Sequence, residues 1–397
     1  MHRCALVLVA LSIATAESRA QDQSGTCISQ NCRVVTPTDA LVRLVYGAEI
    51  GSVDFAMAIA REVPTFPIPS SSAGAAWSVD LGSPRTSRIG SDAATSFAER
   101  PYTNGRRRLN VSLAVQHVPF AAVVGEPLSD LHRVAVSRSV FGNDTFDLRA
   151  PMTLAIDRSI FSASYGLADR IDVSLIVPLV RSTVHGTGWL DRTFDRTITL
   201  IRRDNVASSA SGVGDIVLRS KIGLLASHAL ALAAVVDLRV PTGDAARLLG
   251  TGRHATTVLI AAGSTWGRVA PHVNVGYTFA GTGIDLITET PRPINRSYAF
   301  RPSDEEHYAV GADVAVSKRI AVAVDVIGRS LRGSAEYRAS PSHFSIVRGS
   351  VNPRFGTVGA KVDMRGEWAI TGTVLFPLND AGVKPGLAPT IGLRRAF

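Results

Sequence analysis

The 397-residue chain is short of several things that would otherwise define its class. It has only three cysteines, too few for a disulfide-stapled scaffold. Cys4 lies in the extreme N-terminus, and Cys27 and Cys32 stand together in the segment CISQNC. No other Cys or His lies near that pair to complete a metal site. The two thiols either close a small-loop disulfide in an oxidising compartment or stay free. After the N-terminus there is no run of about 18 uncharged apolar residues, so no helix of the chain is patterned to cross a membrane. The longest apolar-rich window, residues 38–63, is broken by Arg43, Glu49, Asp54 and Arg61. Nucleophile-elbow, HExxH and metal-ligand spacings are absent, which argues against an enzyme and implies no cofactor. Basic motifs interleaved with aromatics are also lacking, which argues against nucleic acid as a partner.

What is present begins with an export signal. Residues 1–20 carry His2 and Arg3, an apolar run from Ala5 to Ala14, and a polar stretch ending Ser18-Arg19-Ala20. The apolar core is too short to span a bilayer and Ala20 fits a small-residue cleavage site. Cleavage there would lower the net charge from +9 to +8.

The apolar residues, 46% of the chain, are spread over short alternating segments. In VAPHVNVGYTF, Val269, Pro271, Val273, Val275, Tyr277 and Phe279 occupy one parity, against Ala270, His272, Asn274, Gly276 and Thr278. Residues 230–240 and 306–316 alternate in the same way. Period two over ten to twelve residues marks strands with one face in an apolar medium, and it matches the nine to eleven residues that a tilted membrane strand needs. Twelve such strands are read at about 109–119, 152–166, 170–182, 213–225, 230–241, 255–265, 269–280, 306–317, 319–331, 354–364, 367–378 and 386–397, with ten to fourteen compatible with the pattern. Very short links follow residues 166, 225, 265, 317 and 364. Longer polar connections fall at about 183–212, 242–254, 281–305 and 332–353. Short turns on one side and long loops on the other give an all-β fold, a transmembrane antiparallel up-and-down β-barrel in the bacterial outer membrane. Pro119, Pro178, Pro241 and Pro377 all fall near the outer ends of ascending strands, where a missing N–H is tolerated.

Several motifs then agree in order and spacing. Ser211-Gly212-Val213-Gly214-Asp215-Ile216-Val217-Leu218-Arg219-Ser220-Lys221 is followed by Asp237-Leu238-Arg239-Val240-Pro241-Thr242-Gly243-Asp244, by Gly250-Thr251-Gly252, and by Pro271-His272-Val273-Asn274-Val275-Gly276-Tyr277-Thr278-Phe279. Over about residues 105–397 the chain resembles the phenol meta-pathway outer-membrane protein family. The resemblance implies an outer-membrane barrel, often called a transporter and sometimes associated with uptake of aromatic or other hydrophobic compounds. The C-terminal Phe397, with Ile391 and Leu393 at alternating positions, resembles the signal read by the outer-membrane assembly machinery; Arg395 departs from that pattern.

The chain therefore divides into a signal peptide (1–20), an N-terminal periplasmic extension or plug (21–106) and the barrel (107–397). Within the extension, Thr38-Asp39 is placed to cap a helix reaching about Val63, with Leu41, Leu44, Val45, Ala48, Phe55 and Ile59 on its apolar side. Residues 64–92 read as a Pro/Ser/Gly/Ala-rich linker. Inward parity selects Asp172, Asp215, Arg219, Lys221, Asp237, Arg239, His272, Asp313, Asp325, Arg329, Lys361, Asp363 and Arg394 as pore-lining candidates, because a cation facing lipid at mid-depth would cost about 2–4 kcal/mol. The same residues equally suit cross-strand ion pairs that set register. Arg192, Arg196, Arg202, Arg203, Arg247, Arg253, Arg292, Arg296, Arg301, Arg332, Arg338 and Arg348 fall in the outer connections and predict a basic rim able to bind lipopolysaccharide phosphates. The function that follows is a pore or transporter for small solutes of unspecified identity. The alternatives are a structural or adhesive barrel, or an outer-membrane hydrolase using one of His117, His132, His185, His254, His307 and His343.

Overall fold

In the computed structural model, residues 36–45, 52–70, 77–79, 86–88, 97–139, 142–194, 196–227, 229–281, 284–288, 296–300, 304–331, 336–339, 344–347 and 350–397 are described. The signal peptide expected at 1–20 and the disulfide candidates Cys27 and Cys32 lie outside these residues.

Twelve antiparallel strands form the wall: β1 (Leu109–Val123), β2 (Met152–Ala168), β3 (Ile171–Phe194), β4 (Ile216–Ala226), β5 (Ala231–Val240), β6 (Ala255–Gly263), β7 (Val269–Ala280), β8 (Glu305–Ala315), β9 (Ile320–Leu331), β10 (Arg354–Asp363), β11 (Trp368–Pro377) and β12 (Ala388–Ala396). Each pairs with the next in chain order. The register of β12 on β1, from Thr390↔Gln116 to Ala396↔Asn110, closes the ring. Closure leaves each of the twelve wall strands with a partner on both sides. The alternation sorts side chains as the sequence implies: Val115, Val173, Val275, Val310, Val324 and Ile391 are exposed on the outside, while Gln116, Asp172, Asn274, Asp325 and Thr390 are buried inside. A closed barrel with an apolar exterior belongs in an outer membrane.

Several outer connections carry strands of their own, His132–Ser139 and Gly142–Arg149 between β1 and β2 among them, and one is longer than the rest. Residues 183–212 continue β3 and return as a strand, Thr197–Val213, paired from Leu179↔Val213 to Phe194↔Thr197. The lower half of β3 pairs instead with β4, from Val217↔Ile176 to Ile222↔Ile171. At 24 residues β3 is roughly twice the length a membrane crossing needs, so this hairpin projects beyond the barrel. The break between Val213 and Ile216 also accounts for Pro178, which lies mid-strand rather than at a strand end. Gly214 donates its N–H to the Pro178 carbonyl, and the proline's missing donor faces no continuous partner. Pro119 is likewise opposite a gap, where Gly386 donates to its carbonyl. Pro241 and Pro377 do mark strand ends.

Two helices precede the wall, α1 (Pro37–Val45) and α2 (Ser52–Glu62). They pack on each other, so the region is not the single helix that the pattern suggested. The cap also lies two residues earlier than expected. Thr36 is the N-cap: its Oγ1 accepts the Asp39 N–H at 3.2 Å, Asp39 reaches back to the Thr36 N–H at 3.4 Å, and Pro37 takes the first helical position. Leu41, Leu44, Val45, Phe55 and Ile59 are all buried. They join the outer half of the wall, including Leu154, Ile156, Val184, Leu190, Phe355 and Leu375, in one apolar core. The inward face is thus apolar in its outer half and polar only below. At Gly188 the α1 backbone touches the wall, and a Cβ there would lie 2.3 Å from the Leu44 carbonyl oxygen.

Candidate functional site in the barrel lumen

Residues 62–67 and 98–104 meet the inward face of the wall at successive levels. Below α2, Phe66 packs edge-on against Phe120 and Phe355, with ring centroids 5.8 and 5.6 Å apart. Arg158, buried and projecting inward from β2, donates to the carbonyls of Val63 and Phe66 at 2.9 Å each. Arg329 of β9 donates to Thr65 Oγ1 at 2.8 Å and forms an ion pair with Glu305. Glu62 accepts the Val383 N–H at 2.8 Å; burial is the main influence on its carboxyl and pushes the pKa up to about 7.

Lower down, residues 97–104 meet five of the pore-lining candidates, Asp172, Arg219, Lys221, Asp313 and Asp325. Burial alone would raise the Glu99 carboxyl, but Lys221 and Arg219 beside it hold it down at about 2. Glu99 lies 2.6 Å from Arg219 Nη1 and 2.6 Å from Lys221 Nζ. Arg219 also makes a two-pronged pair with Asp237, at 2.7 Å for each prong. Arg100 makes a similar pair with Asp313, at 2.7 and 2.8 Å, and lies 3.9 Å from Asp325. Asp325 accepts from Thr357 at 3.1 Å and contacts His272 Nε2 at 2.6 Å. Asn104 donates its N–H to Asp172 at 2.8 Å. Lys361 pairs with Asp363 at 3.0 Å within the wall, as Arg219 does with Asp237 and His272 with Asp325. Asp215 is used differently: in the break before β4 it accepts from Gly243 and from both the N–H and Oγ1 of Thr251, pinning the 242–254 connection.

Inward parity says nothing of what these residues contact. Glu99, Arg100 and Asn104 lie in a stretch with no periodicity to mark them. Arg158 was findable, since it shares parity with the polar Ser162 and Ser164 further along β2. The basic rim also needs revision. Arg253 is buried at 4% exposure and turns to the lumen, and Arg192 is bound to Asp144 at 2.9 Å. Arg247 remains at the surface beside Asp244, and Arg292, Arg301, Arg332 and Arg348 lie outside the described residues. Arg395, the departure from the C-terminal pattern, lies over Trp368 and Phe397 at 5.1 and 4.5 Å from their ring centres, so the aromatic surface is continued by a cation that can reach the interface.

Between residues 61–70 and 97–99 on one side and β4 to β9 on the other is a cavity of about 230 Å³. Phe66, Ile68, Phe97, Leu259 and Ile327 supply apolar surface, and Arg239 and His307 are among its polar groups. A hydrogen-bond chain runs along its wall from Thr257 through Thr278 to His307, with contacts of 2.7 and 2.5 Å. Among the described residues no group of three or more His, Cys, Asp or Glu is placed to hold a metal ion. Two exposed His–Asp contacts, His117–Asp157 at 2.6 Å and His132–Asp147 at 2.7 Å, have no serine hydroxyl bonded to the imidazole among the described residues.

The sequence model of the family described as "Putative MetA-pathway of phenol degradation" matches residues 133–333, just over half of the chain. No curated protein matches the sequence. Solved structures with a similar fold include an outer-membrane channel from Pseudomonas putida F1, at 15% identity and a TM-score of 0.46, covering 75% of this chain and 98% of that one. The toluene transporter TbuX of Ralstonia pickettii is 10% identical with a TM-score of 0.37, covering 75% and 92%. The P. putida toluene transporter TodX is 10% identical with a TM-score of 0.36, covering 78% and 97%.

Proposed function

This chain belongs to the phenol-degradation family whose model spans residues 133–333, and from that premise we propose that it is an outer-membrane passage for small solutes, hydrophobic and aromatic compounds included, with the N-terminal segment acting as a plug. The observation that carries the reading is the cavity of about 230 Å³ between residues 61–70 and 97–99 and the inward face of the wall. A barrel filled only for rigidity gains nothing from leaving such a space, because close packing is what stabilises an interior. Twelve strands enclose a narrow lumen, so small molecules fit the reading and folded cargo does not. The arginine-rich sequence of the outer connections supports contact with lipopolysaccharide phosphates, and Phe397 supports recognition by the assembly machinery.

Planar-bilayer recording of the full-length protein and of a form lacking residues 21–106 tests this function. The full-length protein is expected to be nearly closed and the truncated form to conduct several-fold more. Equal conductance would remove the plug. No conductance from either form, with no uptake of labelled toluene or phenol into liposomes, would favour a structural barrel.

A further inference from the structure

The lumen cavity has a composition that passage of neutral hydrocarbons does not require. At about 230 Å³ it is smaller than the sites that hold drug-sized ligands, which suits a single ring. Phe66, Ile68 and Phe97 of the N-terminal segment and Leu259 and Ile327 of the wall give it an apolar side. Five arginines line the remainder, at positions 61, 219, 239, 253 and 329, against four acids. Three of those acids already serve arginines of the wall: Glu99 and Asp237 contact Arg219, and Glu305 contacts Arg329. The fourth, Glu62, has a pKa near 7 set mainly by burial, so its negative charge is only partly developed at neutral pH.

Arg239 stands apart within this set. It follows Asp237 by two residues along β5 and so shares its inward face. It is half-buried, lines the cavity, and has no ion pair or hydrogen bond among the described residues. A guanidinium held beside an apolar slot in a low-dielectric interior is suited to a planar carboxylate, which it can engage through two parallel hydrogen bonds.

Building on the reading of the lumen as a solute path, we propose that this cavity is a binding site for small aromatic carboxylates, with Arg239 taking the carboxylate and the Phe66, Phe97 and Ile327 side holding the ring. The site is then selective for charge as well as for shape. A ring of the same size carrying a neutral amide leaves the Arg239 guanidinium desolvated and unanswered, which is unfavourable.

The test is calorimetric titration of the full-length protein in detergent with benzoate and with benzamide, which share ring and outline but differ in charge. Benzoate is expected to bind at least tenfold more tightly. Arg239→Gln should weaken benzoate about tenfold or more while changing benzamide less than threefold, and Arg239→Lys should retain part of the preference. Equal binding of the two probes by the wild type, or equal losses in the variant, would overturn the proposal. Because the wild-type comparison needs no substitution, the proposal stays testable even if Arg239→Gln fails to fold. Liposomes that pass neither probe would overturn the passage reading, whereas a lost preference in the titration overturns only the anion site.

Discussion

Glu62 and Glu99 are both buried in the N-terminal segment, yet their neighbours drive them in opposite directions. Glu62 has one firm partner, the Val383 N–H, and its pKa rises to about 7. A raised carboxyl pKa makes the folded state hold its proton longer than the unfolded chain does. The penalty is absent below the ordinary value near 4.5 and develops as pH climbs through 7. Glu62→Gln, which keeps an acceptor for Val383, should therefore stabilise the protein at pH 8 by up to about 3 kcal/mol and change little at pH 4. Thermal unfolding in detergent at the two pH values checks this, and equal shifts at both would refute it. Glu99 is the reverse case. With its carboxyl held at about 2 by Lys221 and Arg219, its contribution is complete above pH 4.5 and is lost as pH falls toward 2. Glu99→Gln should cost roughly 3 kcal/mol at pH 7, because it leaves two buried cations facing a neutral amide, and that cost should shrink toward pH 2. A cost independent of pH would mean that packing, not charge, holds this residue.

At the scale of elements, the approach of α1 to β3 is the contact least tolerant of added volume. Gly188→Ala places a methyl 2.3 Å from the Leu44 carbonyl oxygen, and backbone on both sides leaves no flexible end to yield. The expected result is displacement of α1 at a cost of about 1–3 kcal/mol, read as faster proteolytic cleavage within residues 36–70 while the barrel itself stays resistant. Gly372, which has open space around its Cβ position, provides a control that should not change cleavage. The elements differ in how legible they were. All twelve wall strands could be read from the sequence because lipid on one side and lumen on the other impose period two over the full crossing. The protruding hairpin was missed because residues 197–201 are exposed on both faces, so nothing there imposes an alternation of polar and apolar residues. The helix cap was placed at Thr38 because Asp39 follows it, but Asp39 is the third helical residue of a box that opens at Thr36. For the lumen, parity could show which side chains face inward and not which of them meet Glu99 and Arg100, since contacts with an aperiodic segment leave no pattern.

On the scale of the whole molecule, the wall and the segment inside it divide the lumen into three levels: an apolar core around α1 and α2, the cavity, and a lower level filled by Glu99 to Asn104. At that lower level Asp172, Lys221, His272, Asp325 and Lys361 are each less than 5% exposed. Under the proposed function, a solute in the cavity reaches the periplasm only if residues 97–104 shift. Each such shift must separate charge pairs such as Arg100–Asp313, at 2.7 Å, and breaking a buried pair costs several kcal/mol. The open form is then a minor population, and its loss should be measurable by tethering. Ala98 on the segment packs with Ala309 of β8 and Ile327 of β9 in one buried cluster. In a protein with Cys27 and Cys32 changed to serine, Ala98→Cys paired with Ala309→Cys should form a disulfide on oxidation and tie the segment to the wall. Uptake of labelled solute into liposomes is expected to fall severalfold on oxidation and to recover with reductant, while either single cysteine variant responds to neither treatment. Unchanged uptake by a fully crosslinked sample would show that the path does not require this segment to move, and would direct attention to the gaps in the wall opposite Pro119 and Pro178.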